Sequence, residues 1–321
     1  MDSAGITKRG RGRPRKAAKI VNVRKQGIVN LPSNGDTPDP GDVHIVEVIY
    51  ANPEMFKKIT NLFKLMASDY VLIRFEQDRM IFFSNDHFQK SNIHVEIFGR
   101  ELHLYYCEAP FETVLELASL REVFSGIDKD ISMLIIKITR KMKDSHVQFI
   151  LDRPKLNNDL IYTQEISKAY VPYDLFLEKI DDEPYFIHWS IPFKDLKKDI
   201  ANYSSVTDTL MVEKEEGKPL TMGYNRSGGK TTHRSVFKNG ETIDLCVVNS
   251  SYVNISFHLA HVKSYSRAGL TENVKISVHP SKDLIFTCVL DENKGLNKKP
   301  IPGSHTCIIR VYTEISKSAH C

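Results

Sequence analysis

From His44 onward the chain alternates strand-like and helix-like segments in an order that occurs twice, and few folds satisfy that order. The periodicities predict a strand at His44–Ala51, a helix at Pro53–Ala67 and strands at Tyr70–Phe75, Met80–Ser84, Ser91–Phe98 and Leu102–Cys107. A second helix follows near Glu112–Phe124, then strands at Ile131–Thr139, His146–Leu151 and Leu160–Ile166. After an irregular acidic stretch, Ser167–Pro184, the plan restarts with a strand at Phe186–Ile191 and a helix at Pro192–Tyr203. Strands at Thr209–Lys214, Leu220–Tyr224, Thr232–Phe237 and Thr242–Val248 precede a last helix over Ile255–Ala268. Three strands end the chain, at Val274–Val278, Leu284–Leu290 and Thr306–Thr313. Each copy therefore reads as one strand, a helix, four strands, a helix and three strands, with little sequence identity between copies. Two helices per copy suffice to cover one face of an antiparallel sheet, which is an α+β architecture.

The helices carry the informative side chains. Asn52 is a candidate N-cap and Pro53 a first helical residue. Phe56, Ile59, Phe63 and Met66 then form an apolar stripe, while Lys57, Asn61 and Lys64 lie on another face with Lys58 nearby. The helix at 192–203 carries Lys194, Lys197, Lys198 and Asn202. Phe56-Lys57-Lys58 and Leu196-Lys197-Lys198 occupy matching places in the two copies. The helix near 112–124 is the exception, setting Glu112, Glu116 and Glu122 against Arg121 alone.

Hydrophobic residues make up 41% of the 321, and charged ones 26%, enough for ordinary globular cores. No apolar run has the length of a bilayer span, and the N-terminus has no signal-peptide pattern. The five cysteines, Cys107, Cys246, Cys288, Cys307 and Cys321, form no CxxC and no zinc spacing, and most sit in β-like runs as expected of thiols in a reducing compartment. An intracellular protein without metal or cofactor is expected.

Charge is distributed unevenly. Residues 1–42 hold nine Lys/Arg and four Asp, a net of +5. The remainder holds 44 − 9 = 35 basic and 40 − 4 = 36 acidic residues, a net of −1, so a body that binds nucleic acid must sort its charges by surface. Large apolar residues are almost absent before Ile20, and residues 1–42 are expected to be a disordered tail. Within it, Lys8, Arg9, Arg11, Gly12, Arg13, Pro14, Arg15 and Lys16 resemble an AT-hook, whose thin Gly-Arg-Pro core lets arginines enter a narrow A·T minor groove. The alternatives for such a run are a nuclear-import signal or a generic basic tail.

Several catalytic or ligand-binding motifs are only apparent. Gly228-Gly229-Lys230-Thr231-Thr232 lacks the first glycine of a phosphate loop, because Tyr224 stands there, and β-like sequence follows. His258 and His261 have no third ligand at convincing spacing. Asp181-Asp182-Glu183 reads as a solvated charge run. No Gly-x-Ser-x-Gly signature occurs. The expectation is a binding protein and not an enzyme.

Over residues 44–315 the order of elements resembles proliferating cell nuclear antigen, the sliding clamp. Met55-Phe56-Lys57-Lys58 with Lys64 is similar to the clamp's first basic helix. Ser256-Phe257-His258-Leu259 through Ser266-Arg267-Ala268, with Val274-Lys275-Ile276-Ser277-Val278, is similar to its last helix and following strand. The tail, with GRGRPRK and Arg24-Lys25-Gln26-Gly27-Ile28, resembles the clamp-like proteins of African swine fever virus and related large DNA viruses. The resemblance implies a ring-forming clamp fold, three subunits of two similar domains each, and duplex DNA in a helix-lined channel. The domains are expected at 43–167 and 185–315, with a connector at 168–184 and a short C-terminal tail at 316–321. Lys57, Lys58, Asn61, Lys64, Arg121, Lys197, Lys198, Asn202 and Arg267 are the implied channel residues, with His258 and Lys263 as neighbours. Partner peptides of a DNA polymerase and of other replication or repair proteins would dock beneath the connector, against Tyr170, Val171, Tyr173, Leu175, Phe176 and Leu177. The host cytoplasm at the site of viral replication is the expected location, with the nucleus as the alternative. The rival function is a viral transcription factor that uses the clamp fold without encircling DNA.

Overall fold

A computed structural model describes residues 43–316 except 52, 67, 87–90, 128–130, 132, 154–159, 172–175, 177–186, 226–231, 238–243, 248–251, 269, 279–282 and 291–306. The chain divides into two units, Met1–Gly35 and Asp36–Cys321, and every described residue lies in the second. The basic run Lys8–Lys16 therefore falls outside the described residues.

The first copy of the repeat runs β1 (His44–Ala51), α1 (Glu54–Leu65), β2 (Tyr70–Phe75), β3 (Arg79–Asn85), β4 (Ser91–Phe98), β5 (Leu104–Cys107), β6 (Phe111–Glu116), α2 (Leu117–Ser125), β7 (Met133–Thr139), β8 (His146–Arg153) and β9 (Leu160–Ser167). The second runs β10 (Ile187–Pro192), α3 (Phe193–Tyr203), β11 (Thr209–Glu215), β12 (Leu220–Asn225), β13 (Thr232–Phe237), β14 (Asp244–Val247), β15 (Tyr252–His258), α4 (Leu259–Ala268), β16 (Asn273–Val278), β17 (Asp283–Leu290) and β18 (Cys307–Ser316).

The repeat is thus strand, helix, five strands, helix, three strands, and the expected count of four is corrected in both copies at the same place. Residues 112–116 and 255–258, expected at the starts of helices, are the ends of β6 and β15. Each strand passes into its helix without an intervening Gly or Pro, so no local signal marks the change. Pro53 precedes α1 instead of opening it, and its carbonyl accepts from the Phe56 N–H at 3.0 Å.

All described pairings are antiparallel. One sheet has the order β5-β1-β7-β8-β9. The larger sheet joins the two copies: β6-β2-β3-β4 pairs through β4 with β18, and β18 continues into β17-β16-β10-β14. The far end of β18 also pairs with β15, at Ser256–Ser316 and Phe257–Ile315, which brings in β11, β12 and β13. The β4–β18 junction runs from Ser91–Thr313 to Ile97–Cys307.

Strand alternation divides each sheet into two faces. Val71, Ile73 and Phe75 on β2, Val95 and Ile97 on β4, and Ile309 and Val311 on β18 join the main core with Phe56, Ile59 and Phe63 of α1. Phe56 meets Phe82 edge-on and Phe124 at a tilt. In the second copy Phe193, Leu196 and Ile200 of α3 and Val262 and Tyr265 of α4 cover Trp189, Ile276 and Phe286. Fully burying each such large side chain contributes about 1.5–3 kcal/mol, so the amphipathic helices are held by the sheet more than by their own propensity. Cys288 and Cys307 are buried free thiols and Cys107 is half-buried.

Candidate nucleic-acid interface and partner groove

Helices α2 and α1, α1 and α4, and α4 and α3 pack in succession, which places the four in one row on the sheet. Their apolar stripes face down, so their opposite sides face solvent. On α1, Lys57, Lys58, Asn61 and Lys64 are exposed; on α3, Lys194, Lys197, Lys198 and Asn202 are. Arg267 of α4 is exposed, whereas Lys263 of α4 and Arg121 of α2 are half-buried. His258 is exposed but ends β15 instead of sitting on α4, a correction to its expected place.

The four helices together carry nine Lys/Arg against four Asp/Glu, although residues 43–321 as a whole are net −1. Lys197, Lys263 and Arg267 converge on a groove of about 320 Å³ between α3 and α4, floored by Ile200 and Ala201 and edged by Ser204, Ser205 and Ser266. Lys57 donates from Nζ to the Ile127 carbonyl at 3.1 Å and is the one tethered member of the set among the described residues. On α3, burial and then the neighbouring Asp195 carboxylate push the Asp199 carboxyl up, with Lys198 opposing.

The acidic residues of the segment 112–124 do not all lie on a helix. Glu112 lies on β6, on the sheet face away from the helices, ion-paired with Arg74. Glu116 is the last residue of β6, which leaves Glu122 and Arg121 as the charged pair on α2.

The outer face of the sheet treats its cations differently. Arg74 pairs with Glu112, and Arg79 contacts Asp78 at 3.0 Å, Glu96 at 3.0 Å and Glu76 at 3.5 Å. Arg310 of β18 pairs with the same Glu96, which is 7% exposed. Burial pushes the Glu96 carboxyl up, but hydrogen bonding and charge from Arg310, with His94 and Arg79 behind it, hold it below its ordinary value. His94 lies beside it, stacked on Phe83 at 4.6 Å between ring centroids. Burial, reinforced by Arg310, Arg74 and Arg79 against the pull of Glu96, brings the imidazole down to about 4. Arg74, Arg79 and Arg310 are therefore ion-paired on the outer face, while none of the helix-row cations forms an ion pair among the described residues.

The same outer face holds a small second core of Leu72, Ile81, Phe83 and Val114, separate from the main one. Ala169, Val171 and Phe176, at the start of the segment between the copies, pack against it, and the Ala169 N–H donates to the Val114 carbonyl at 2.8 Å. Tyr170 points outward at 94% exposure. Tyr173, Leu175 and Leu177 lie outside the described residues. Three of the four floor residues are legible only indirectly, because Tyr70–Phe75 and Met80–Ser84 are nearly continuous apolar runs, the mark of strands covered on both faces; Val114 lies in the segment expected to be a helix.

Among the described residues no three His, Cys, Asp or Glu side chains converge as a metal site. β12 and β13 flank residues 226–231 and pair with each other, so a strand, and not the helix of a phosphate loop, follows that glycine-rich segment. No described helix is long and apolar enough to cross a membrane.

No protein-family model matches the chain. Uncharacterized proteins of African swine fever virus, from a tick isolate of Malawi and a pig isolate of Kenya, are each 26% identical to it over 291 residues, covering 88% of this chain and 94% of their own length. The crystal structure of proliferating cellular nuclear antigen from Entamoeba histolytica aligns with a TM-score of 0.64 at 15% identity, covering 85% of this chain and all of that one. The chain has the α+β fold of that clamp, and its relatives are viral proteins.

Proposed function

We propose that the protein is a sliding clamp: three copies close a ring around duplex DNA and tether a replicative polymerase and repair proteins to it. The observation that carries this reading is the sorting of charge. Nine cations lie on one helix row without ion pairs among the described residues, while Arg74, Arg79 and Arg310 on the opposite sheet face are bound to carboxylates. A protein that slides needs diffuse phosphate attraction without base readout, and flexible lysines on a helical surface supply it. Arginines locked to carboxylates would not.

Ring closure is supported by the repeat itself. Within the chain, β4 of the first copy pairs with β18, the last strand of the second. The strands in the equivalent places are β13 and β9, and each is the terminal strand of its sheet among the described residues. Joining β13 of one chain to β9 of the next repeats the internal junction and leaves no such edge open. The domains would then be 43–167 and 185–315, with the connector at 168–184 lying over the outer-face core as a partner-peptide site. The AT-hook-like tail would add minor-groove contacts, and the protein would act as a scaffold without chemistry of its own.

Light scattering on residues 43–321 combined with retention on DNA tests this reading. A trimer retained on nicked circular duplex but lost from a linear end supports the clamp. A monomer at high micromolar concentration overturns the ring. Sequence-selective binding without any circle-to-line difference establishes the transcription-factor alternative.

A further inference from the structure

We infer that the two kinds of sheet junction in the ring carry different chemical codes, ionic within a chain and apolar between chains, with Val236 of one copy seated opposite Ile161 of the next. This rests on the ring reading above, and it specifies the partner surface and its register.

The repeat allows residues to be matched across copies by register. Tyr70 pairs with Glu116 and Thr209 with His258, and each of Glu116 and His258 immediately precedes a helix. Three residues further along β2 and β11, the rung Ile73–Phe82–Val95 corresponds to Val212–Met222–Ser235. Glu96 therefore corresponds to Val236, and Arg79 to Pro219. On the other side, matching Met133 and Asn273, the first residues of β7 and β16, makes the rung Val48–Ile136–Phe149–Gln164 correspond to Trp189–Ile276–Phe286–Val311. Arg310 then corresponds to Thr163, and Ile308 to Ile161.

Within the chain, Glu96 sits opposite Ile308 and takes Arg310 diagonally and Arg79 from β3. At the open edges all three charged members are replaced, by Val236, Thr163 and Pro219. Applying the internal register to the junction between copies places Val236 opposite the partner's Ile161, and Ser235 opposite the partner's Tyr162. Val236, Ile161 and Tyr162 are 51%, 59% and 50% exposed in the single chain, and Ile161 and Tyr162 are adjacent on one terminal strand. A second copy covers them.

The code also excludes wrong closures, which a repeat invites. If β4 captured β9 of another copy, Glu96 would be buried against Ile161 with Thr163 in place of Arg310. If β13 captured β18 of another copy, Arg310 would be buried beside Val236 without a carboxylate. The first error leaves Glu96 with Arg79 as its remaining cation, the second buries Arg310 without a carboxylate, and only the ionic-with-ionic, apolar-with-apolar assignment avoids both.

The test uses the full chain with Val236→Cys and Ile161→Cys together, mildly oxidised and run without reductant, beside the parent and each single variant. Covalent trimers should form in the double variant alone. Pairing Val236→Cys with Thr163→Cys, two rungs away, should give about tenfold less, since Cα atoms more than about 7 Å apart are not bridged. In parallel, Val236→Glu should convert trimers to monomers in light scattering. Adding Thr163→Arg, which rebuilds the Glu96–Arg310 pair between copies, should restore them. A trimeric parent that cross-links best at Thr163, or not at all, overturns the register while leaving the ring intact. Failure of Thr163→Arg to restore assembly overturns the matching of the two junctions. A monomeric parent overturns the ring and this inference together.

Discussion

Glu96 and Arg310 are 214 residues apart in the chain and form an ion pair across the junction of β4 and β18, the one described pairing that joins the first copy to the second. The carboxylate is buried and also held by Arg79, so both its desolvation and its compensation are large. Glu96→Ala leaves Arg310 facing an apolar neighbour and should cost about 3–5 kcal/mol of unfolding free energy, the range for breaking a buried pair from one side. Glu96→Leu combined with Arg310→Leu should cost markedly less, because no unpaired charge remains at the junction. Urea titration followed by fluorescence of Trp189 checks both.

Stability should fall as the pH drops from neutral, and His94 sets the window. Its folded value of about 4 lies below the ordinary 6.5, so between these values the unfolded chain binds the proton first. The slope there approaches about 1.4 kcal/mol per pH unit, for a total of about 3 kcal/mol. Glu96 acts in the same direction at lower pH: its folded value is depressed, so its contribution is present above about 4.3 and disappears as the pH falls through the folded value. His94→Phe keeps the stacking on Phe83 and should flatten the upper part of the curve. An unchanged slope between pH 6.5 and about 4 would remove His94 from the account.

Charge reversal on the helix row should separate binding from folding. Lys58, Lys64 and Lys198 are exposed and make no ion pair among the described residues, so changing all three to Glu should alter stability by about 0.5 kcal/mol or less per site. The slope of log K against log salt should shrink by about 0.9 for each phosphate that is no longer neutralised. Lys57→Glu should be more costly to the fold, since Lys57 also holds the Ile127 carbonyl. Lys143→Glu with Lys218→Glu, on hairpin turns, is the control and should leave DNA retention unchanged.

The outer-face core predicts a separable loss of partner binding. Val171→Ser with Phe176→Ser removes the apolar cover from Leu72, Ile81, Phe83 and Val114 without touching the helix row. Polymerase capture in a pull-down should drop at least about tenfold, equivalent to about 1.4 kcal/mol, while retention on circular DNA persists. Equal loss of both would mean that this segment supports the ring and not a partner.

The strands and helices of this protein are written locally. Alternation at 44–51, the nearly continuous apolar run at 70–75 and the 3.6-residue stripe of Phe56, Ile59 and Phe63 place these elements to within a residue or two, because the number of buried faces sets the pattern. The basic faces of α1 and α3 follow from the same arithmetic, since a lysine off the apolar stripe has only solvent to meet. The entries into α2 and α4 were misplaced because β6 and β15 run straight into their helices, and a short apolar segment suits either period. Other features depended on distant parts of the chain. Nothing near Glu96 announces that Arg310 will reach it, and nothing near Val114 announces that Val171 and Phe176 will cover it, since strand pairing between distant segments is decided by the whole sheet. The difference between a cation that is available and one already bound to a carboxylate is likewise a property of what folds next to it. Local periodicity told which residues face outward, and tertiary pairing decided which of those remain without a partner.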